Sequence, residues 1–578
     1  MNKSIIFSTL SAKYPHASPA PYCLASGVKA NAPELYERVS IAEGTINEDI
    51  NAFADRLIGS DPVFVGFSCY IWNIKHVLTV AKKVKEALPD TLIALGGPEV
   101  SPRARDVLGA YPFVDFVLSG EGEHSVPKLL RILEKQGKAP DCDELSSVEG
   151  LSFRKEDGTL VIKEAVRSKT KPPSPLDAGY AEALGGRIAY FESSRECPYS
   201  CAYCLSGRDA HPVFFEGDDL FDNLLKLANS SAKTVKFVDR TFNANATHAD
   251  RILGFILESY GKEIPNDVTF HFEIGADILK DSTLSLLERM PQGAVQLEAG
   301  IQSFNEETLR AVRRVCDLDA LEKNIKRIVG WHNMHIHIDL IAGLPCEDIH
   351  SFRKSFNRAY ALGANMLQLG FLKVIHGSAI RNESEHYPCR YDSEPPYEVI
   401  STPWLSELEL ALLHLTEDAL DRLYNSSRFK LTLEKALSSW KGTAFDFYTL
   451  AGLRMKERSI AKNCTLDEFT RFFFDFCKEE LPLSENEIRD SLILDRLSSN
   501  NTGHLPDFLF DGGEELKKIK KKLSKMQSYR EAKGVRRGYA LINDRKTLCI
   551  ADYSPDNFDP ISQRYTLRLV SVAEVTAE

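Results

Sequence analysis

A chain of 578 residues with 71 Lys and Arg against 82 Asp and Glu carries a net charge of −11, which argues against a nucleic-acid partner because phosphate binding needs basic surface. Its length implies roughly three or four domains, and 43% hydrophobic with 26% charged residues is a globular composition. No uncharged apolar run could span a bilayer, and the start "MNKSIIFSTLSAKYPHAS" lacks the features of a signal peptide, so a cytoplasmic protein without a membrane partner is expected.

Residues 1–140 alternate strand-like runs, "SIIFST", "VFVGFS" (63–68), "TLIALGG" (91–97) and "FVLSG" (116–120), with amphipathic segments such as "IKHVLTVAKKVKEAL". Apolar strands alternating with helices predict a parallel sheet, hence a doubly wound, Rossmann-like α/β domain. Residues 141–184 read as a hairpin around Asp157-Gly158 followed by the linker "SKTKPPSPLD", whose prolines forbid a helix.

From 185 to 390 the alternation resumes with "RIAYFESS", "TVKFVDR", "VTFHFEIGA", "AVQLEAGIQS", "HIHIDLIAG" and "MLQLGFLKV", each but the last followed by a helical pattern. Six such units predict a partial (β/α)6 TIM-type barrel with its chemistry at the C-terminal strand ends. Residues 391–578 form a mostly helical domain, in which "YEVISTPWLSELELALLHLTEDALDRLY" and "LDEFTRFFFDFCKEE" read as amphipathic helices and "GYALINDRKTLCIADYS" as a hairpin. Tyr397 and Trp404 suit core packing better than a roof over a site. Lys517 to Arg537 carries ten Lys or Arg against one acid, Glu531, a pattern that fits a solvated helix face better than an anion site.

The twelve cysteines are not spaced as a disulfide framework, so reduced thiols are expected. Three of them, Cys197, Cys201 and Cys204, gather in "ECPYSCAYCLSG" directly after the first barrel strand. A structural zinc site needs four closed ligands, whereas an iron-sulfur cluster can leave one iron open. CxxxCxxC at this place, with Tyr203 before the third cysteine, resembles the radical S-adenosylmethionine superfamily. The resemblance implies a 4Fe-4S cluster on these three thiolates, its open iron chelated by S-adenosylmethionine, whose cleavage yields a 5'-deoxyadenosyl radical.

It also implies contacts to S-adenosylmethionine at the other strand ends. The family's second strand closes with Gly-Gly-Glu; here "FVDRTFN" offers Asp239 and Arg240 instead. Glu273 ends the third strand, Glu298, Gln302 and Ser303 resemble the family's ExGxQS stretch, and Asp339, Gly343 and Pro345 match its fifth-strand element.

An open doubly wound sheet binds ligands beyond its strand C-termini. Those ends carry Ser68, Tyr70, Trp72 and Asn73, then Gly96, Gly97, Pro98 and Glu99, then Gly120, Glu121, Gly122 and Glu123. In order they resemble the cobalamin-binding domain that precedes the barrel in cobalamin-dependent radical enzymes, and the resemblance implies that they contact cobalamin. The Asp-x-His-x-x-Gly element, through which many cobalamin proteins ligate cobalt, is absent from the first 150 residues; His16 and His76 lie outside any such context. The last region resembles the C-terminal region of an uncharacterised cobalamin-type subfamily. The expected function is a C-methyltransferase using methylcobalamin on an unactivated carbon of a small-molecule or peptide substrate, served by a reductase such as flavodoxin or ferredoxin. The alternatives are rearrangement, ring contraction or oxidation with the same cofactors, and a metal-stapled RNA-binding module.

Overall fold

The first apolar runs become strands β1 (Ile5–Ser11), β3 (Phe64–Ser68), β4 (Leu92–Gly96) and β5 (Phe116–Leu118) of the computed structural model, joined by β2 (Val39–Thr45). The structure describes residues 4–136, 141–168, 170–207, 211–217, 219–510, 513–524 and 535–577. It divides into two compact units: residues 1–296, 309–317 and 371–403, and residues 297–308, 318–370 and 404–578.

In the first unit the strands β1 to β5 pair in parallel, and β6 (Leu151–Arg154) and β7 (Leu160–Val161) complete the sheet in the order β2-β1-β3-β4-β5-β6-β7. Alternate side chains feed two cores, as a doubly wound sheet requires. Ile6, Leu10, Val65 and Phe67 pack with Phe53 and Val77 of the helices Ile50–Gly59 and Ile74–Ala87. Ile5, Phe7, Phe64 and Ala94 pack with Val28 and Leu129 of the helices Ala20–Asn31 and Gly122–Gln136. Strand β2 escapes the sequence reading because it is a half-exposed edge with no apolar run. The predicted hairpin is present, but β6 pairs antiparallel with β5 and so belongs to the sheet. The proline linker is not wholly extended: Pro175–Ala178 makes one 3-10 turn, because Pro at its first position loses no needed N–H and the Ser174 side chain caps it.

The six later strand runs appear as β8 (Ala189–Phe191), β11 (Thr234–Phe237), β12 (Thr269–Ile274), β13 (Val295–Gln302), β14 (His335–Ala342) and β15 (Met366–Phe371), each followed by a helix, which after β15 is only the short Ala379–Asn382. In the first unit β11 pairs in parallel with both β8 and β12. The first run is split, with β8 followed by a short pair, β9 (Ser194–Arg195) and β10 (Val213–Phe214). In β13 alternate side chains are buried, the remainder being only partly so, which is the period of a strand with two different faces. These repeats are the partial (β/α)6 barrel.

The rest of the second unit is mainly helical. Ser406 with Glu409, Thr443 with Asp446, Thr465 with Glu468 and Ser484 with Glu487 form reciprocal capping boxes at four helix starts. The helix after Trp404 therefore begins at Glu407, and the preceding Val399–Ser401 is a strand rather than helix. The hairpin Arg537–Ile542 with Thr547–Asp552 gains a third strand, Leu567–Ser571. On it packs the helix Gly513–Leu523 through Leu516, Ile519 and Leu523, leaving Lys517, Lys518, Lys520, Lys521 and Lys522 exposed. Residues 525–534 of the basic run lie outside the described residues. Among the described residues no helix is long and apolar enough to cross a membrane.

Candidate functional site

Cys197, Cys201 and Cys204 occupy the loop between β9 and β10, and all three are free thiols. Cys197 Sγ lies 3.3 Å from Thr241 Oγ1, and Cys204 Sγ accepts from the Ser206 amide at 3.4 Å. Cys201, 7% exposed, has Arg314 Nη1 at 3.8 Å, and the same nitrogen donates to Tyr203 Oη at 3.4 Å. Burial works against the charge of Arg314, and the neighbouring Tyr203 and Cys201 offset that cost. The trio, with a positive group at its most buried member, fits an iron-sulfur cluster.

The loop is closed tightly. Gly207 has φ +73°, its amide donates to Glu196 Oε2 at 2.9 Å, and a Cβ there would sit 2.1 Å from Tyr199 O and 2.4 Å from Cys197 O. Both obstacles are backbone, so Gly207→Ala is expected to spread the loop. Iron and sulfide retained after desalting should fall at least severalfold; wild-type content would show that the loop tolerates the change.

At the end of β11, Asp239 is fully buried and already accepts from the Ser193 amide at 3.0 Å, from Ser193 Oγ at 2.7 Å and from Ser194 Oγ at 2.5 Å. It ties the second strand to the chain entering the cysteine loop, while Arg240 is exposed. Glu273 meets Lys236 at 3.6 Å.

Within the second unit, Glu298 and Asp339 converge on His337, which the sequence reading passed over. His337 Nε2 is 2.9 Å from Asp339 and Nδ1 is 4.0 Å from Glu298; one ligand-type atom from each residue lies within 4.8 Å of the others. The alternation in "HIHID" held the signal, since residues two apart on a strand share a face. Gln302 has φ +71°, and its buried Oε1 has no hydrogen-bond partner among the described residues. Gly343 has φ +89°.

Ser303 is differently employed: fully buried, it donates to Glu347 Oε1 at 2.7 Å, as Ser355 does at 2.8 Å. Burial pushes the Glu347 carboxyl up from 4.5 to about 7 against those two hydrogen bonds. A carboxyl raised on folding contributes stability that is fully present below its unfolded value and is lost as pH rises through the folded one. Between 4.5 and about 7 the loss is about 3 kcal/mol. Urea unfolding should weaken from about pH 5 to about pH 8 by this order, and Glu347→Gln should remove most of that slope; an unchanged slope would refute the assignment.

The first unit also holds a cavity of about 340 Å3 beyond β1, β3, β4 and β5. The strand order β2-β1-β3 reverses direction between β1 and β3, where doubly wound sheets place ligands. Of the candidate residues, Ser68, Tyr70, Gly96, Gly97, Gly120, Gly122 and Glu123 line it. A Cβ on Gly96 would meet nothing closer than 3.5 Å, so its missing side chain leaves usable space, a cradle that fits a bulky ring system.

Trp72, Asn73, Pro98, Glu99 and Glu121 do not line it. Trp72, 44% exposed, stacks on Tyr70 at 4.5 Å. Asn73 is spent on the backbone, donating to Leu10 O and Ser68 O and accepting from the Tyr70 amide. Glu99 accepts from Tyr397 Oη and Arg103 Nη2, both at 2.6 Å, which makes buried Tyr397 a core residue. His16 Nδ1 lies 2.7 Å from Tyr190 Oη.

A doubly wound domain with a glycine-edged cavity, followed by β/α repeats whose first strand leads into CxxxCxxC, defines a two-cofactor architecture. Residues 25–130 match the family model described as B12 binding domain, 191–359 that of the Radical SAM superfamily, and 385–546 that of a Protein of unknown function (DUF4080). In chain order, a match to a B12-binding domain, a match to the Radical SAM superfamily and a match to a region of unknown function follow one another, none of them covering half of the chain. It is 28% identical over 332 residues to the cobalamin-dependent radical SAM methyltransferase TokK of Streptomyces tokunonensis, covering 53% of this chain and 45% of that one. To the 2-(S-pantetheinyl)-carbapenam-3-carboxylate methyltransferase of Streptantibioticus cattleyicolor it is 28% identical over 326 residues, covering 51% and 44%. The chain thus spans just under half the length of these two curated relatives. The solved structure of the cobalamin-dependent S-adenosylmethionine radical enzyme OxsB, with aqua-cobalamin and S-adenosylmethionine bound, shares the fold with a TM-score of 0.55 at 14% identity, over 92% of this chain and 83% of that one.

Proposed function

We propose that the protein is a C-methyltransferase that uses cobalamin and radical S-adenosylmethionine chemistry to methylate an unactivated carbon of a small molecule or peptide. The supporting observation is the pairing, in one compact unit, of the cavity at the β1/β3 crossover with the three-thiol loop. Both curated relatives described above are named as methyltransferases, which favours methylation over rearrangement or oxidation.

The doubly wound domain of 1–140, with the hairpin and linker of 141–184, holds cobalamin through Ser68, Tyr70, Gly96, Gly97, Gly120, Gly122 and Glu123. In the barrel of 185–390, Cys197, Cys201 and Cys204 hold the 4Fe-4S cluster, Arg314 offsets their negative charge, and the glycine turn at Gly207 fixes their spacing. Glu298, Gln302 and Asp339 would accept hydrogen bonds from S-adenosylmethionine; Glu273 and Arg240 are the first unit's own candidates for such contacts. When bound, these cofactors supply reductive cleavage of a sulfonium, hydrogen abstraction and a methyl donor. The apolar cavity walls exclude water. A cytoplasmic flavodoxin or ferredoxin provides the electron.

Turnover of S-adenosylmethionine labelled in its methyl group, with cell extract as the substrate source, is expected to place label on cobalamin and on a carbon-bound product. Turnover with no label on cobalamin would overturn methyl transfer.

A further inference from the structure

We propose that Arg195 is a positioning residue that couples the cavity to the cysteine loop, so that cobalamin and the cluster bind cooperatively. The inference rests on the reading above that the cavity takes cobalamin and the loop takes the cluster. Arg195 ends β9, two positions before Cys197, and its backbone pairs with Val213 of β10 on the far side of the loop.

Its guanidinium is used on every edge. Nη1 meets Glu121 Oε2 at 3.3 Å, Nη2 meets Glu123 Oε1 at 2.6 Å, and Nε meets Glu192 Oε1 at 2.9 Å, with Nη2 also donating to Glu192 Oε2 at 3.0 Å. The side chain is 17% exposed, with Glu121 at 15% and Glu123 at 7%. Arg195, Glu123 and Glu192 all line the cavity, and Glu123 stands in the first turn of the helix Gly122–Gln136.

One guanidinium faces three carboxylates, so the cluster has acceptor capacity to spare at the cavity wall. Cobalamin carries a rim of amide side chains, whose N–H groups are donors that these carboxylates can accept. A donor that engages Glu123 or Glu192 competes with Arg195 for the same oxygens, and the fork must shift. The shift is delivered to the thiols through a short, pinned segment: Glu196 has φ +71°, pairs with Arg167 and accepts from the Gly207 amide. Such a coupling is reciprocal, so the cluster must alter cobalamin affinity by the factor with which cobalamin alters cluster binding.

The test titrates hydroxocobalamin into cluster-free and cluster-loaded protein and records the Mössbauer spectrum of the cluster with and without it. In the wild type the two dissociation constants should differ by about tenfold, and the spectrum should shift. Arg195→Lys keeps a charge but loses the fork; it should bind both groups, with the ratio near one and no spectral shift. Glu121→Gln, which relaxes the longest contact, should give an intermediate ratio and serves if Arg195→Lys does not fold. A ratio of one in the wild type, or equal ratios in the wild type and the folded variants, overturns the coupling and leaves both cofactor sites standing. Failure to bind cobalamin in either state overturns the cavity reading and the coupling with it.

Discussion

Cys201→Ala protein, reconstituted anaerobically with iron and sulfide, is expected to lack the visible absorption of a cubane cluster and to cleave no S-adenosylmethionine. Two thiolates cannot hold a four-iron cluster, and no thiol is within the loop to replace the third. Cys201 is also the most enclosed member of the trio and lies beside the Arg314 guanidinium, where a methyl group offers no ligand. The loss should therefore be complete rather than graded. Cys389→Ala, which removes a half-buried thiol outside the loop, should retain both signals. Cleavage at the wild-type rate by Cys201→Ala would end the radical assignment.

The second large effect is expected from Gly96→Leu, a block placed where cobalamin is proposed to sit. Gly96 ends β4, pairs with Ser68 and Leu118, and lines the cavity. The first carbon of a side chain is accommodated there, at 3.5 Å from Leu118 O and 3.8 Å from Leu118 Cβ, so the remaining atoms extend into the cavity. An overpacking cost of about 3 kcal/mol weakens binding by about a hundredfold. The variant should keep the far-ultraviolet circular dichroism of the wild type and lose hydroxocobalamin on desalting. Gly97→Ala is the contrasting case: φ is +108° and a Cβ would sit 2.6 Å from Cys69 O, so it should damage the fold itself. Wild-type cobalamin affinity in folded Gly96→Leu would move the cobalamin site elsewhere.

What the sequence made legible were features with a period or a spacing. Apolar runs such as "VFVGFS" and "TLIALGG" mark central strands because both of their faces are buried, whereas the edge strand Val39–Thr45 shows no such run. The three thiols were visible because CxxxCxxC is local. Arg195 and Arg314 were not, because their meaning lies in partners distant along the chain: Glu121 and Glu123 for one, Cys201 and Tyr203 for the other. Asn73 and Ser303 misled for the opposite reason. A polar residue at a strand end has a ligand-binding appearance, but Asn73 is consumed by three backbone groups and Ser303 by the buried Glu347. The C-terminal helices began where their Ser and Thr caps stand, a signal present in "TLDE" and "SENE" as a Ser or Thr three residues before Glu.

The antiparallel addition of β6 to β5 decides where the first domain can be cut. Ser119 donates to Gly150 O at 2.9 Å, Gly150 approaches Ser119 so closely that a Cβ would lie 2.0 Å from its carbonyl oxygen, and Gly120 bridges to Val166. A fragment ended at residue 140 would strip these supports from the cavity wall and turn β5 into an open edge, inviting strand addition by a second molecule. The shortest fragment that keeps the sheet closed on that side and Gly120 supported runs through Val166, so soluble expression of the isolated domain depends on residues that the chain places after its helices.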